Sequence, residues 1–326
     1  MRALLCCILT AMVLQGQVAL ASDAILIPFQ VNQKNAMVVD LTADEIELRV
    51  DGVAQKVSVF EGPRTQPRTV PTEVCILFDC DRTVVANSGL TPRVFHENLL
   101  DENDHVRVAL YGFGGGLVQL AGPTRDEAVL RKALDAGMFV HPLGTFLLDH
   151  IRQLVQEAAS SGPAARMLLV VSDGVSDTAG ASQLAKRERF DATVLAAQRS
   201  STSLHPVVVK APFGTQASTS SSAAASGRAG IPRAGAVEDM GVQTDLRSLG
   251  DFTNLASATG GQNQEVLGGS GFLPGLLKSV SKLVRDNYVV GFVPVASDPP
   301  KRHKIELTLK NKNRGRVIIG VRNLTF

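Results

Sequence analysis

Between residues 74 and 286 the chain alternates short, mostly apolar runs with longer segments of helical periodicity, and this pattern constrains the fold most. Apolar strands without polar alternation are typical of a parallel sheet that is covered on both faces. Strands that alternate with helices indicate a doubly wound, mostly parallel α/β domain. The predicted strands are 74–78, 106–111, 167–171 and 207–209, and the predicted helices are 126–136, 145–159, 182–200, 246–258 and 272–286.

The two ends of the chain follow a different pattern. Residues 45–50 and 304–310 alternate apolar with polar side chains, which predicts half-buried β-strands. Residues 313–315 form a turn signal, so we expect a hairpin that returns through 317–321. Neither end has enough strands for a stable sheet of its own. We therefore expect the two terminal β segments to form one small β unit, with the α/β domain inserted between them.

The predicted organisation has four parts. These are a signal peptide at 1–22, an N-terminal β segment at 23–66, the α/β domain at 70–287, and a C-terminal β segment at 288–326 that packs with 23–66. Residues 211–244 are small, polar and rich in glycine, and they cannot bury much apolar surface. We predict a disordered surface loop there.

The first residues resemble a secretory signal. Arg2 gives a short positive region, residues 3–14 are almost wholly apolar, and 19–21 read Ala-Leu-Ala, a cleavage site of the A-x-A type. The alternative is a membrane anchor, but polar residues at 15–17 leave the apolar run too short to span comfortably. The prediction is an exported protein, periplasmic or extracellular, without a transmembrane segment after cleavage.

Composition excludes some partners. A net charge of +2 gives no nucleic-acid or membrane signal, and the absence of Trp argues against a stacking surface for single strands. Of the four cysteines, Cys75 and Cys80 remain after cleavage. Five residues of extended strand would hold them roughly 16 Å apart, too far for a disulfide. Cys75 is predicted to be a buried core thiol.

Oxygen-bearing side chains gather where the predicted strands end. In VCILFDCDRTVVANSG an apolar run ends at Asp79, Asp81 and Thr83, while Asp173 follows another strand and Thr145 begins a helix. Ligands of open α/β sheets bind beyond the carboxyl ends of the strands. Carboxylate and hydroxyl oxygens suit a hard divalent cation, Mg²⁺ first, with Mn²⁺ or Ca²⁺ as alternatives. These five residues are the predicted metal ligands.

This order of residues resembles the metal-ion-dependent adhesion site of von Willebrand factor A domains, which is Asp-x-Ser-x-Ser, then Thr, then Asp-Gly. Here the parts are Asp79-Cys80-Asp81-Arg82-Thr83, Thr145, and Asp173-Gly174. The flanks LTADEIELRVDGVAQKVSVFEG and DNYVVGFVP are similar to those of the secreted bacterial VWFA-related domain proteins. The resemblance implies a Rossmann-like von Willebrand A domain with β flanks and no established enzymatic activity. We expect the domain to bind an unidentified protein partner.

The motif departs from the family pattern at two positions. Asp81 stands where the family has serine, and Arg82 stands where a glycine is usual. Together Asp79, Asp81 and Asp173 carry three negative charges against the two positive charges of the ion, so a fourth carboxylate from a partner is repelled. We therefore expect weakened capture of acidic partner residues.

The alternative function is an Mg²⁺-dependent phosphatase, because Asp-x-Asp-x-Thr-Val also resembles the first motif of haloacid-dehalogenase-type phosphatases. That resemblance makes Asp79 the nucleophile and Asp81 the general acid/base. Ser172 would be the later hydroxyl and Asp251 the late acidic residue. However, residues 240–249 do not form the apolar strand that should precede Asp251. We expect a binding protein rather than an enzyme.

No Ser/His/Asp triad can be assembled from the sequence. His150, on the predicted helix at 145–159, has no second histidine at metal-ligand spacing. We expect a surface or partly buried histidine there.

Overall fold

The computed structural model describes most of the chain. The described residues are 24–34, 36–80, 88–113, 116–135, 147–160, 162–172, 182–210, 250, 252–267, 271–295, 301–319 and 323–325. The predicted signal peptide and the predicted loop at 211–244 lie outside them.

Strands and helices follow one another along the described chain. The strands are β1 (Ile25–Gln33), β2 (Ala36–Met37), β3 (Ile46–Val50), β4 (Val53–Ala54), β5 (Val59–Glu61), β6 (Thr72–Asp79), β7 (Val106–Phe113), β8 (Leu117–Thr124), β9 (Ala165–Ser172), β10 (Thr202–Lys210), β11 (Gln264–Leu267), β12 (Tyr288–Phe292), β13 (Arg302–Leu309), β14 (Arg316–Ile319) and β15 (Asn323–Thr325). The helices are α1 (Pro92–Phe95, continued by a π turn at His96–Leu100), α2 (Glu127–Asp135), α3 (Leu147–Ala159), α4 (Gln183–Arg199), α5 (252–259) and α6 (Phe272–Asp286).

The central sheet has the strand order β8-β7-β6-β9-β10-β11 within the described residues. β6 lies between β7 and β9 and is parallel to both, and β10 and β11 keep the same direction. β8 runs antiparallel to β7 at one edge. Every residue of β6 and β9 is buried, which explains why these strands lack polar alternation. This is the strand order of a doubly wound sheet, and it reverses between β6 and β9.

Helices cover both faces of the central sheet. On one face, Val74, Ile76 and Phe78 of β6 pack in a cluster with α1, α2 and α6. On the other face, Cys75 and Leu77 pack with α3, α4 and α5. Because successive strand residues point to opposite faces, one apolar strand serves two cores.

The terminal segments build a β unit of two sheets. One sheet has the order β14-β1-β12-β5, with β2 paired to β1, and the other has the order β15-β13-β3-β4. Phe29, Leu48, Tyr288 and Leu307 belong to one buried cluster that both sheets share. The predicted fold class, a Rossmann-like, mostly parallel sheet flanked by a β unit from both chain ends, is confirmed. The domain boundaries proposed from the sequence stay a prediction.

The β unit is fastened to the α/β domain where α6 leads into β12. Arg68 donates hydrogen bonds to the carbonyl oxygens of Val284 (2.9 Å), Arg285 (2.7 Å) and Asn287 (3.1 Å). These bonds satisfy carbonyl groups that the end of a helix leaves without intrahelical donors. The Arg68 guanidinium therefore ties the loop before β6 to the junction between α6 and β12.

The predicted hairpin near the C-terminus is wrong. β13 pairs with β3 and β15, whereas β14 pairs with β1 in the other sheet. The connection therefore crosses from one sheet to the other. Gly315 makes this possible, since its φ is +136° and a Cβ there would lie 2.6 Å from the Asn32 carbonyl oxygen.

The spacing of a capping box occurs at two helix starts, and the structure differs between them. Thr42 and Glu45 have the spacing of a capping box and form one, in which Thr42 N donates to Glu45 Oε2 at 2.9 Å. Thr124 and Glu127 have the same spacing, but Thr124 is the last residue of β8 and does not cap the helix. Asp126 caps α2 instead, and its Oδ1 accepts from Ala128 N at 2.7 Å.

The sequence patterns missed α1, β8 and β11. α1 is one short helix that widens into a π turn, and β11 has four residues, so both are too short for their periodicity to stand out in the sequence. β8 is an edge strand with mixed exposure that contains Gly122 and Pro123. Proline suits an edge strand, but it obscures the strand signal.

Candidate functional site

Asp79 is the last residue of β6, and Ser172 is the last residue of β9. These strands are neighbours, and the strand order of the sheet reverses between them. The carboxyl ends of two strands that flank such a switch point form the crevice in which doubly wound sheets bind ligands. The structure therefore places Asp79 where the sequence predicted it.

The carboxylate of Asp79 contacts the hydroxyl of Ser172. Ser172 Oγ donates to Asp79 Oδ2 at 2.9 Å. Ser172 is 0% exposed and Asp79 is 4% exposed. A buried carboxylate needs hydrogen-bond donors to offset the loss of water, and a buried hydroxyl needs a partner. The contact satisfies part of both requirements at the end of an otherwise apolar pair of strands.

Strand alternation explains why these two side chains meet. Asp79 has the same parity as Leu77, and Ser172 has the same parity as Val170, and these two apolar residues lie in the cluster that α3 covers. Both polar side chains therefore point to the face of the sheet on which α3 begins. The predicted ligand Thr145 precedes α3 by two residues.

The backbone after Asp79 is fixed from the other side. Cys80 N donates to the Phe113 carbonyl oxygen at 3.0 Å, so the ladder with β7 continues past the strand end. Cys80 Sγ lies against Gly112, where a Cβ would be 2.8 Å away. The thiol packs in the cluster on the opposite face, away from Asp79. Asp79 is thus held at a defined place by its neighbours in β7 and β9.

Both cysteines are buried free thiols, as the spacing argument predicted. Burial raises the pKa of Cys75 to about 12. Such a thiol is inert at neutral pH, since the thiolate is the reactive form.

Four of the five predicted metal ligands, Asp81, Thr83, Thr145 and Asp173, lie outside the described residues. Among the residues that the structure describes, no three side chains of His, Cys, Asp or Glu are grouped so that they could hold a metal ion. The metal site therefore stays a prediction, of which one ligand is placed.

The described part of the site fits a hard cation. Asp79 and Ser172 present only carboxylate and hydroxyl oxygens at the strand ends, and the nearby Cys80 sulfur points to the other face. Oxygen donors without soft ligands are the set that Mg²⁺, Mn²⁺ and Ca²⁺ prefer. When bound, such an ion would supply a positive charge with open coordination positions for a partner group.

His150 lies in the first turn of α3 and is partly buried, as expected. Its ring centroid is 5.8 Å from that of Phe113, the residue paired with Asp79 across β6 and β7. Burial lowers the pKa of His150. The imidazole of His150 therefore packs against Phe113 at the end of β7, as part of the apolar surroundings of the site.

A pair of serine and histidine side chains lies at the opposite end of the sheet, next to a cavity of about 60 Å³ between β1 and β10. His205 is 2% exposed, and its Nδ1 accepts from Gln262 N at 3.1 Å. The proton of the neutral ring is therefore on Nε2, which lies 3.0 Å from Ser203 Oγ and donates to it. Ser203 Oγ in turn donates to the Arg166 carbonyl oxygen at 3.2 Å.

This tautomer is the wrong one for nucleophilic catalysis. A base that activates serine must accept the hydroxyl proton at the nitrogen that faces it. Here that nitrogen carries the proton, and the pair belongs to a fully bonded chain of donors and acceptors. Burial lowers the pKa of His205 to about 4, so the ring stays neutral at neutral pH.

The comparisons with known proteins gave structural similarities only. No family model and no curated protein matches the chain. Among solved structures, the conserved hypothetical protein BatB from Bacteroides thetaiotaomicron is 16% identical, with a TM-score of 0.39 over 65% of this chain and 97% of that one. The vWF domain of the type V pili tip protein Mfa5 from Porphyromonas gingivalis is 12% identical, with a TM-score of 0.41 over 67% and 96%.

A further similar structure is proximal thread matrix protein 1 from the mussel byssus, with 13% identity and a TM-score of 0.40 over 74% of this chain and 50% of that one. These values are too low to support an inference about function. The fold is therefore argued from the strand order and the β unit described above, which agree with the resemblance to von Willebrand A domains.

One property of the helices bears on the membrane. In the described part of the chain, no helix combines the length and the apolar character that crossing a bilayer requires.

Proposed function

We propose that this chain is a protein-interaction module that binds its partner at the carboxyl edge of the central sheet. The observation that carries the proposal is the buried hydrogen bond between Asp79 and Ser172 at the switch point. An acidic side chain fixed at this place in a doubly wound sheet is costly to bury, and it is typical of a ligand site.

The proposed site is a modified metal-ion-dependent adhesion site. Asp79, Asp81, Thr83, Thr145 and Asp173 would hold one divalent cation, Mg²⁺ or else Mn²⁺ or Ca²⁺. Three carboxylates around one such ion leave a net negative charge, so the partner group is expected to be neutral or basic.

We also propose that the protein is exported and meets its partner outside the cytoplasm. The proposal rests on the signal-like residues 1–22.

The test is calorimetric titration of the protein with Mg²⁺ and with Mn²⁺. The wild type and the Asp191→Ala variant, a control on the surface of α4, are expected to bind the ion equally. Asp79→Ala and Asp173→Ala are expected to lose binding. No heat and no thermal shift with the wild type would refute a metal site.

A second experiment addresses the partner. Proteins captured from the native envelope with and without chelator are compared for the wild type and Asp173→Ala. Partner sets that do not change would move the interaction away from the metal edge.

The alternative function is a phosphatase, and the same contact favours it, since Ser172 supplies a hydroxyl beside the would-be nucleophile Asp79. Asp251 lies outside the described residues. Turnover of a generic phosphate ester with Mg²⁺, abolished in Asp79→Asn and kept in Asp191→Ala, would establish the enzyme in place of the binding module.

A further inference from the structure

The carboxylate of Asp79 is oriented by its neighbour in the sheet. The backbone at this point is already fixed, because β6 is paired along its length with β7 and β9. The remaining freedom is the rotation of the side chain. The hydrogen bond from Ser172 Oγ to Asp79 Oδ2, 2.9 Å long, restrains that rotation.

Ser172 is a polar residue at the end of an apolar run in β9. The preceding residues of β9 from Met167 to Val171 are apolar and buried, and Ser172 is itself wholly buried. A buried serine contributes less apolar surface to packing than valine would, so packing alone does not explain a hydroxyl here. Its polar partner, the carboxylate of Asp79, gives the residue a specific task.

We propose that Ser172 is a positioning residue for the metal site, holding the carboxylate of Asp79 in the orientation in which it binds the ion. The inference rests on the proposed function and adds a residue that the ligand motif does not contain. Residues that hydrogen-bond a ligating group orient it, and their loss lowers metal affinity by about 10- to 100-fold.

A merely structural hydroxyl would behave differently. Ser200 is a matched case, since it is buried (7% exposed) and its Oγ donates to the Ala197 carbonyl oxygen at 3.1 Å, far from the carboxyl edge. Ser200→Ala removes a buried hydroxyl of the same type, so it reports the general cost in stability. Only Ser172→Ala is expected to change metal binding.

The experiment measures Mn²⁺ affinity by electron paramagnetic resonance for the wild type and for Ser172→Ala, Ser172→Thr and Ser200→Ala, each checked for folding by circular dichroism. We expect Ser172→Ala to bind Mn²⁺ about 10- to 100-fold more weakly. Ser172→Thr, which keeps the hydroxyl, is expected to recover most of the affinity, and Ser200→Ala should match the wild type.

The outcomes separate the two proposals. If Ser172→Ala binds Mn²⁺ as tightly as the wild type does, the positioning role is wrong and the proposed metal site still stands. Equal losses in Ser172→Ala and Ser200→Ala also overturn it, because stability alone then explains the effect. If the wild type binds no Mn²⁺, the proposed metal site fails and the inference fails with it.

Discussion

The buried imidazole of His205 predicts that mild acid weakens this fold. In the folded chain the pKa of His205 is lowered to about 4 by burial, whereas the ordinary value is 6.5. A proton added to Nδ1 would face the N–H of Gln262, which now donates to that nitrogen. No described residue that lines the neighbouring cavity is charged, so no carboxylate there offsets the new charge.

The linkage between proton binding and folding gives the direction and the size of the change in folding stability with pH. Below about pH 6.5 the imidazole of His205 binds a proton in the unfolded chain, whereas in the folded chain it binds one only near pH 4. Stability is therefore complete above the unfolded pKa and is lost as the pH falls through this window. The two pKa values, 6.5 and about 4, differ by about 2.5, and each unit corresponds to about 1.4 kcal/mol. The expected loss is about 3 kcal/mol.

The assay is urea unfolding between about pH 7.5 and about pH 4, for the wild type and for His205→Asn. The asparagine oxygen can accept from Gln262 N, but it does not titrate. His105, whose pKa is also lowered to about 4, first by burial and then by Arg68, contributes to both proteins and cancels in the difference. Equal pH slopes in the two proteins would refute the assignment to His205.

Three further substitutions test contacts of the fold by urea unfolding. Glu73→Gln leaves Arg166, which is 2.9 Å from Glu73 in a buried ion pair, without its counter-charge and should cost about 3 kcal/mol. Gly261→Ala would place a Cβ 1.7 Å from the Leu204 carbonyl oxygen and should cost at least about 3 kcal/mol. Tyr288→Phe removes a hydroxyl that bonds two buried backbone groups and should cost about 1–3 kcal/mol.

Each of these substitutions has a control. Asp191→Asn breaks an exposed pair with Arg187 and should cost less than about 1 kcal/mol. Gly275→Ala, where the added Cβ meets open space within α6, should be neutral or stabilise the protein by up to about 1 kcal/mol. Tyr111→Phe loses one long contact of 3.5 Å to Gln119 and should change little. A test variant that costs no more than its control would contradict the reasoning.

The sequence predicts what depends on local periodicity. The mostly apolar runs predicted the buried parallel strands. The helical spacing of Ile151, Leu154 and Val155 predicted the buried face of α3, where all three are 0% exposed. The turn at Asp51 and Gly52, both with positive φ, was readable from its residue types.

Pairing between distant strands is beyond such patterns. β14 follows β13 after a good turn signal, yet it pairs with β1, and Phe29 faces Ile319. The same limit applied to the site. Asp79 is recognisable as a carboxylate at a strand end, but its contact with Ser172 depends on the register of β6 against β9, in which Phe78 faces Val171.

The strand pairing in the β unit also bears on how the chain folds. β1 pairs with β12, so that Ile25 faces Phe292, and the α/β domain lies between these two strands in the sequence. Contacts so distant in sequence form late, and an apolar strand left open is prone to aggregation. The inserted α/β domain can close first, while the strand that precedes it stays unpaired. A chain without β12 would thus leave the apolar strand β1 without one of its partners in the sheet.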